Sequence, residues 1–235
     1  MLQFAECSGG ARWSGAANPY LRAPIMRFAR ILACTFFLLI VVIQSQSATA
    51  PKNCPPIDQS GDDAFHPWSQ PASNSCHNAE HNGYPTPDPK CTPGAVNPSL
   101  TLTVLKNPNF RTGCVRNDTT NERVKSQTYN WYAIPHPADN QGENQSCELD
   151  HLVPLYLGGA DTLDNIWPQC GPDGVALDDR YFKEKDKVEY YLGQQVREGN
   201  MGLAEAQKGI ATDWTQYLSK AEEFCRSGKC DFRGR

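Results

Sequence analysis

A chain of 235 residues is long enough for one domain of ordinary size with extensions. It carries 22 Lys and Arg against 26 Asp and Glu, a formal net charge of −4. Without residues 1–50, which hold four arginines and one glutamate, 18 basic side chains face 25 acidic ones, a net of −7. That balance excludes a chain that grips long duplex nucleic acid through a generally basic surface. Any phosphate contact has to come from a local basic patch or a bound cation.

The one long apolar run, residues 31–43, is too short to span a bilayer comfortably. Arg27 and Arg30 precede it and the small, polar stretch Ser45 to Ala50 comes after it, which is the order of a secretory signal. Cleavage after Ser47 or Ala50 satisfies the small-residue rule, although Pro51 would follow the second cut. An uncleaved anchor is the competing reading. The expected location is secreted or periplasmic, with no stable membrane association after cleavage. Beyond this leader stand eight cysteines: Cys54, Cys76, Cys91, Cys114, Cys147, Cys170, Cys225 and Cys230. An even number in an exported chain predicts a disulfide framework. No zinc-finger spacing of Cys and His occurs, so structural zinc is disfavoured.

Residues 51–89 are rich in Pro, Ser and Asn and form a disulfide-tethered approach, extended or loop-like. His66, His77 and His81 lie here and are read as surface histidines, because the stretch around the i, i+4 pair His77 and His81 has little helical character. The alternation of Leu100 to Leu105, LTLTVL, predicts a short strand. The chain then turns, and Cys114 to Arg116 is a candidate to pair with the segment C-terminal to it. Tyr129, Trp131 and Tyr132 form an aromatic cluster, read as core packing in preference to base stacking. Residues 178–198 read as a helix with Asp178 and Asp179 at its start and Gly199 at its end. Leu203 to Phe224 reads as a second helix whose apolar stripe is core. Cys225 and Cys230 bracket a tight loop and suit a local disulfide. The expected organisation is a leader over 1–50, the tethered segment 51–89, a domain over 90–224 and a C-terminal cysteine loop over 225–235.

The informative stretch runs from Cys147 to Cys170, CELDHLVPLYLGGADTLDNIWPQC, and holds the sequence's single Asp-His pair, Asp150-His151. Folding its apolar runs antiparallel about Gly158-Gly159 sets Cys147 opposite Cys170, Asp150 opposite Trp167 and Leu152 opposite Asn165. The two cysteines then come within disulfide reach and clamp the open end. Gly158 and Gly159 supply the freedom a turn needs, and Leu152, Val153, Leu155 and Trp167 read as core. Adjacent strand residues face opposite sides. Asp150 and His151 can therefore share a site only where the strand ends or bulges.

Glu148 to Leu155, then Gly158-Gly159, then Asn165-Ile166-Trp167-Pro168-Gln169, resembles the HNH endonucleases, the ββα-metal or His-Me finger nucleases. It is most similar to a bacterial subgroup with a DH-hydrophobic-hydrophobic-P-L-x-L-G-G and N-hydrophobic-W-P pattern. Weaker similarity extends over residues 90 to 218, including Lys185-Asp186 and Glu189 on the next helix. The resemblance implies an α+β fold: a ββα-metal hairpin–helix core with extra short strands, a C-terminal helix and disulfides.

It also implies hydrolysis of phosphodiester bonds in DNA or RNA, with nucleic acid as partner and low sequence specificity, since no helix-turn-helix, finger or basic arm is present. His151 would activate water. Asn165 would tie the loop and orient the histidine. Asp150 would hold a divalent ion, Mg foremost, with Mn, Ca or Zn as alternatives. The family's helix ligand is usually His or Asn, and no histidine comes after His151. Asp186 is the substitute, with Glu189 as runner-up. Lys185 either contacts phosphate as a substrate-binding residue or pairs with Glu189. The rival function is a non-catalytic exported binding module on the same scaffold. A toxin with a partner immunity protein would share the nuclease chemistry.

Overall fold

The computed structural model describes residues 53–58 and 68–230. The leader expected over 1–50 and His66 lie outside these. Among the described residues the fold is α+β, built from two small antiparallel sheets, short helices and three longer C-terminal helices. Four disulfides join Cys54–Cys114, Cys76–Cys91, Cys147–Cys170 and Cys225–Cys230, so all eight cysteines beyond the leader are paired.

The N-terminal approach is less irregular than its composition suggests. Strands β1 (Ala79–His81) and β2 (Tyr84–Thr86) form a hairpin around Asn82-Gly83. Both turn residues have positive φ, +52° and +82°, which is the conformation an Asn-Gly turn favours. The strand expected over Leu100 to Leu105 is instead a helical turn, α1 (Leu102–Leu105). The Thr101 side chain accepts from the Val104 N–H and caps it, so a hydroxyl that looked like one face of a strand starts a helix. Leu100 and Leu105 are buried together with Phe110, Val115 and Leu155. Cys114 to Arg116 forms no strand either. A 3₁₀ turn over Thr112–Cys114 leads into the buried Val115, and Cys114 is tied to Cys54. Two further short helices come next, α2 (Glu122–Lys125) and α3 (Gln127–Trp131). Tyr129, Trp131 and Tyr132 are buried, as expected of core aromatics.

Strands β3 (Cys147–His151) and β4 (Ile166–Cys170) pair in the expected register, Cys147 opposite Cys170 and Asp150 opposite Trp167. The Leu152 N–H reaches the Asn165 carbonyl at 2.8 Å. The loop between the strands closes on glycines for two different reasons. Gly158 has φ +84°, and a Cβ at Gly159 would run into the Val153 carbonyl. Trp167 is fully buried and packs in one cluster with Trp131, Tyr132, Leu152, Leu163 and the Cys76 and Cys91 side chains. The hairpin is thereby fixed to the N-terminal half through this shared aromatic core, to which the Cys76–Cys91 disulfide belongs.

Helix α4 (Tyr181–Glu198) comes after the hairpin and ends at Gly199, φ +80°. Asp178 and Asp179 lie just outside it, in a 3₁₀ turn over Leu177–Asp179. Phe182, Lys185, Val188, Glu189, Leu192 and Val196 form its buried stripe. Two of those six are charged, and charged side chains are rarely buried unless paired. The second expected helix is divided into α5 (Leu203–Asp213), a 3₁₀ turn over Trp214–Tyr217 and α6 (Leu218–Arg226). Asp213 breaks it. Its carboxylate accepts from the Thr215 N–H and hydroxyl, which offers the backbone a local alternative to the helix. Ala206, Ile210, Trp214 and Leu218 still line one core with Val188 and Leu192. No helix among the described residues is long and apolar enough to cross a membrane.

Candidate active site

Strand β3 ends at His151, and the end of the strand brings two adjacent, oppositely directed side chains to one place. Asp150 and His151 both line a cleft of about 370 Å³ together with Arg116, Glu148, Asp186 and Glu189. A second hollow of about 670 Å³ adjoins the cleft. Arg116, Glu148 and His151 line both.

His151 is held from one side. Its Nε2 lies 2.7 Å from Asp161 Oδ1. A carboxylate only accepts, so Nε2 carries the proton and Nδ1 carries the lone pair. Asp161 is itself buried and held in place. Its Oδ2 accepts from the Asn117 N–H at 2.7 Å, and the Lys125 ammonium stands 3.4 Å from Oδ1. Burial opposes its charge, yet His151 and Lys125 hold its carboxyl below the usual carboxylate range. Burial pushes the His151 imidazole down to about 4, against the pull of Asp161 and with the help of the Lys125 and Arg116 charges. The imidazole is therefore neutral near pH 7, and its side chain keeps 12 % exposure at the cleft.

Asn165 closes the loop behind it. The fully buried amide donates to the Val153 and Ala160 carbonyls at 2.9 and 2.8 Å and accepts from the Val153 N–H at 2.9 Å. Its contacts are all to loop backbone, so it positions the segment directly after His151.

Asp150 has a different surrounding. The Lys185 ammonium, from α4, stands 2.7 Å from Asp150 Oδ2 and 2.5 Å from Glu189 Oε1, and donates to the His151 carbonyl at 2.9 Å. The Lys185 side chain is 1 % exposed. Burial alone would lower its pKa, but the two carboxylates raise it, so it stays charged. Burial pushes Asp150 up and Lys185 draws it back. Of the two partners expected for Lys185, the structure places Glu189 against it. The ammonium lies among protein oxygens, and Lys185 is not one of the residues that line the cleft.

Asp186, the expected helix ligand, points at Lys183, 3.2 Å away, and is 25 % exposed. It lines the same cleft as Asp150 but forms no ligand set with it: no group of three His, Cys, Asp or Glu suited to a metal is found among the described residues. A divalent ion at Asp150 would also meet the ammonium. At ~4 Å and an effective dielectric constant near 20, that repulsion is about 8 kcal/mol, enough to offset the attraction of one carboxylate. The Asp150 oxygen that faces α4 is thus taken by an ammonium, where the resemblance would place a divalent ion.

Three residues at this junction were not singled out from the sequence: Asp161, Lys125 and Arg116. Nothing local marks them. Asp161 lies ten residues after His151 across a glycine turn, and Arg116 arrives from a segment tied by Cys114. Of the other described histidines, His136 lines the second hollow with His151, and the remaining two stand elsewhere. His77 is exposed, and His81 in β1 is paired with Asp213 at 3.2 Å beside an apolar hollow of about 740 Å³ that shares no lining residue with the second hollow at His151. No protein-family model, no curated protein and no solved structure matches this chain.

Proposed function

We propose that this chain is an exported endonuclease that hydrolyses phosphodiester bonds of DNA or RNA with low sequence specificity, on a hairpin–helix core of the ββα type. The observation that carries the reading is the Asp161–His151 pair, 2.7 Å apart, at the junction of two hollows. One imidazole nitrogen is committed to a buried carboxylate and the other retains its lone pair, which is the arrangement of a general base with a positioning partner. Export is supported by four disulfides, which form and persist in oxidising compartments.

In this reading His151 Nδ1 takes a proton from water. The water oxygen forms a bond to phosphorus, the bond to the leaving sugar oxygen breaks, and that oxygen takes a proton from solvent. Asp161 stabilises the imidazolium that forms. Arg116, exposed and lining both hollows, offers a guanidinium to the phosphate oxygens. It supplies the local positive charge that the acidic composition otherwise lacks. Asn165 and the Cys147–Cys170 disulfide hold the loop and the strand ends that carry the base.

The test is incubation of the purified mature protein with plasmid DNA and with single-stranded RNA, beside His151→Ala. The reading expects degradation of at least one substrate by the wild type and its loss in the variant. One observation favours a second reading, a non-catalytic exported binding module: Asp150 is already neutralised by Lys185. That module would be folded and would cleave neither substrate under any divalent metal.

A further inference from the structure

Asp150 is the carboxylate a divalent ion would need, and its charge is met from inside the protein. The Lys185 ammonium lies among Asp150 Oδ2 at 2.7 Å, Glu189 Oε1 at 2.5 Å and the His151 carbonyl at 2.9 Å. Two carboxylates and a carbonyl are the hard oxygens that Mg or Mn would take. The ammonium donates to Glu189 Oε1 and the His151 carbonyl and stands in ion-pair contact with Asp150 Oδ2. The cation thus occupies the middle of the oxygen set. It is also anchored there, since Lys185 is 1 % exposed and lies in the buried stripe of α4 between Phe182 and Val188. Withdrawing it would leave two buried carboxylates facing each other, a like-charge pair at close range.

The same ammonium touches the base through the backbone. Its bond to the His151 carbonyl fixes the end of β3, where Asp150 and His151 diverge. Asp186 does not compete for the position, since it is paired with Lys183 at 3.2 Å.

We infer that Lys185 is a built-in cation that takes the place of a divalent ion at Asp150, so that hydrolysis in this cleft runs without a metal. Only the second half rests on the nuclease reading; the occupation of Asp150 stands apart from it.

The two halves are tested together on the whole mature protein with its disulfides intact. Chelator-treated, desalted wild type is titrated with Mn²⁺ and free Mn²⁺ is followed by electron paramagnetic resonance. The wild type is expected to leave the free-ion signal undiminished. Lys185→Gln, which removes the charge and keeps most of the stem, is expected to bind Mn²⁺, and the further change Asp150→Asn to abolish that binding. Binding of Mn²⁺ by the wild type that disappears in Asp150→Asn overturns the inference. So does a folded Lys185→Gln chain that ignores Mn²⁺. If Lys185→Gln does not fold, the wild-type and Asp150→Asn titrations decide alone.

Nucleic-acid cleavage is measured in parallel in excess chelator and in Mg²⁺ or Mn²⁺. Equal rates are expected. A fall of about tenfold or more in chelator, restored by the metal, overturns metal-free hydrolysis. No cleavage under any condition removes the nuclease reading and the metal-free half with it, while the Mn²⁺ titration still reports on Asp150.

Discussion

Two buried charge clusters meet at the end of β3, and they are built in opposite senses. At Asp150 the anion comes from the strand and the cation from α4, and the Lys185 ammonium is enclosed by oxygens from Asp150, Glu189 and the His151 backbone. At His151 the strand supplies the base, and the anion, Asp161, comes from the loop, with Lys125 and the Asn117 N–H behind it. The first cluster encloses its cation, the Lys185 side chain being 1 % exposed, although Asp150 keeps the same 12 % exposure at the cleft as His151. The second ends on an imidazole with one nitrogen not used by its partner. One sequence step separates them, because neighbouring residues of a strand point opposite ways. The Asp-His pair is thus two devices: a fixed internal neutralisation, and a base held in one tautomer.

The contrast breaks most visibly at Asp161. Asp161→Asn removes the charge that stabilises an imidazolium, and kcat for cleavage is expected to fall by roughly 10²-fold with KM little changed. A structural role alone would lower the stability and leave the rate of the folded fraction intact. At the other cluster, Lys185→Met leaves Asp150 and Glu189 buried and unpaired. The expected cost is about 3–5 kcal/mol in urea unfolding with disulfides intact, and a loss below ~1 kcal/mol would mean that the cation is not enclosed as described.

The clamp that holds both clusters gives a smaller effect. Replacing Cys147 and Cys170 by Ser removes a link across a sequence separation of 23, worth roughly 3 kcal/mol from the entropy of the unfolded chain, read as a lowered urea midpoint. The smallest expected effect sharpens the second cluster by pH. The base is the neutral imidazole, and burial holds its pKa at about 4. Cleavage should therefore be flat through the ordinary histidine range, near pH ~6.5, and fall along an acid limb only near 4. A limb at the ordinary histidine value would place His151 in solvent.

The hairpin was legible because its signals agree: apolar runs about a double glycine and cysteines at equal distances from the turn. The Cys147–Cys170 disulfide came from the same symmetry. The α4 helix was legible from periodicity and from Gly199. Other elements were hidden for identifiable reasons. Thr101 could serve as the polar face of a strand or as a helix cap, and only the burial of Leu100 with Leu105 decides. The β1–β2 hairpin carried an Asn-Gly turn signal inside proline-rich sequence that otherwise argues for coil. The break at Asp213 depends on its side chain reaching Thr215, two residues on. At the site, His151, Asp150 and Asn165 stand in one motif, whereas Asp161, Lys125 and Arg116 arrive through tertiary folding. The inward turn of Lys185 is a packing outcome: on sequence alone, a lysine at i, i+4 from a glutamate suits an exposed face equally well.

The most direct test of the central claim is cleavage of plasmid DNA and of single-stranded RNA by His151→Ala, with and without added imidazole. The account predicts that the variant is inactive, about 10²- to 10⁴-fold below the wild type, and that imidazole supplied in solution restores part of the rate at the vacated position. Cleavage by His151→Ala at the wild-type rate would contradict it.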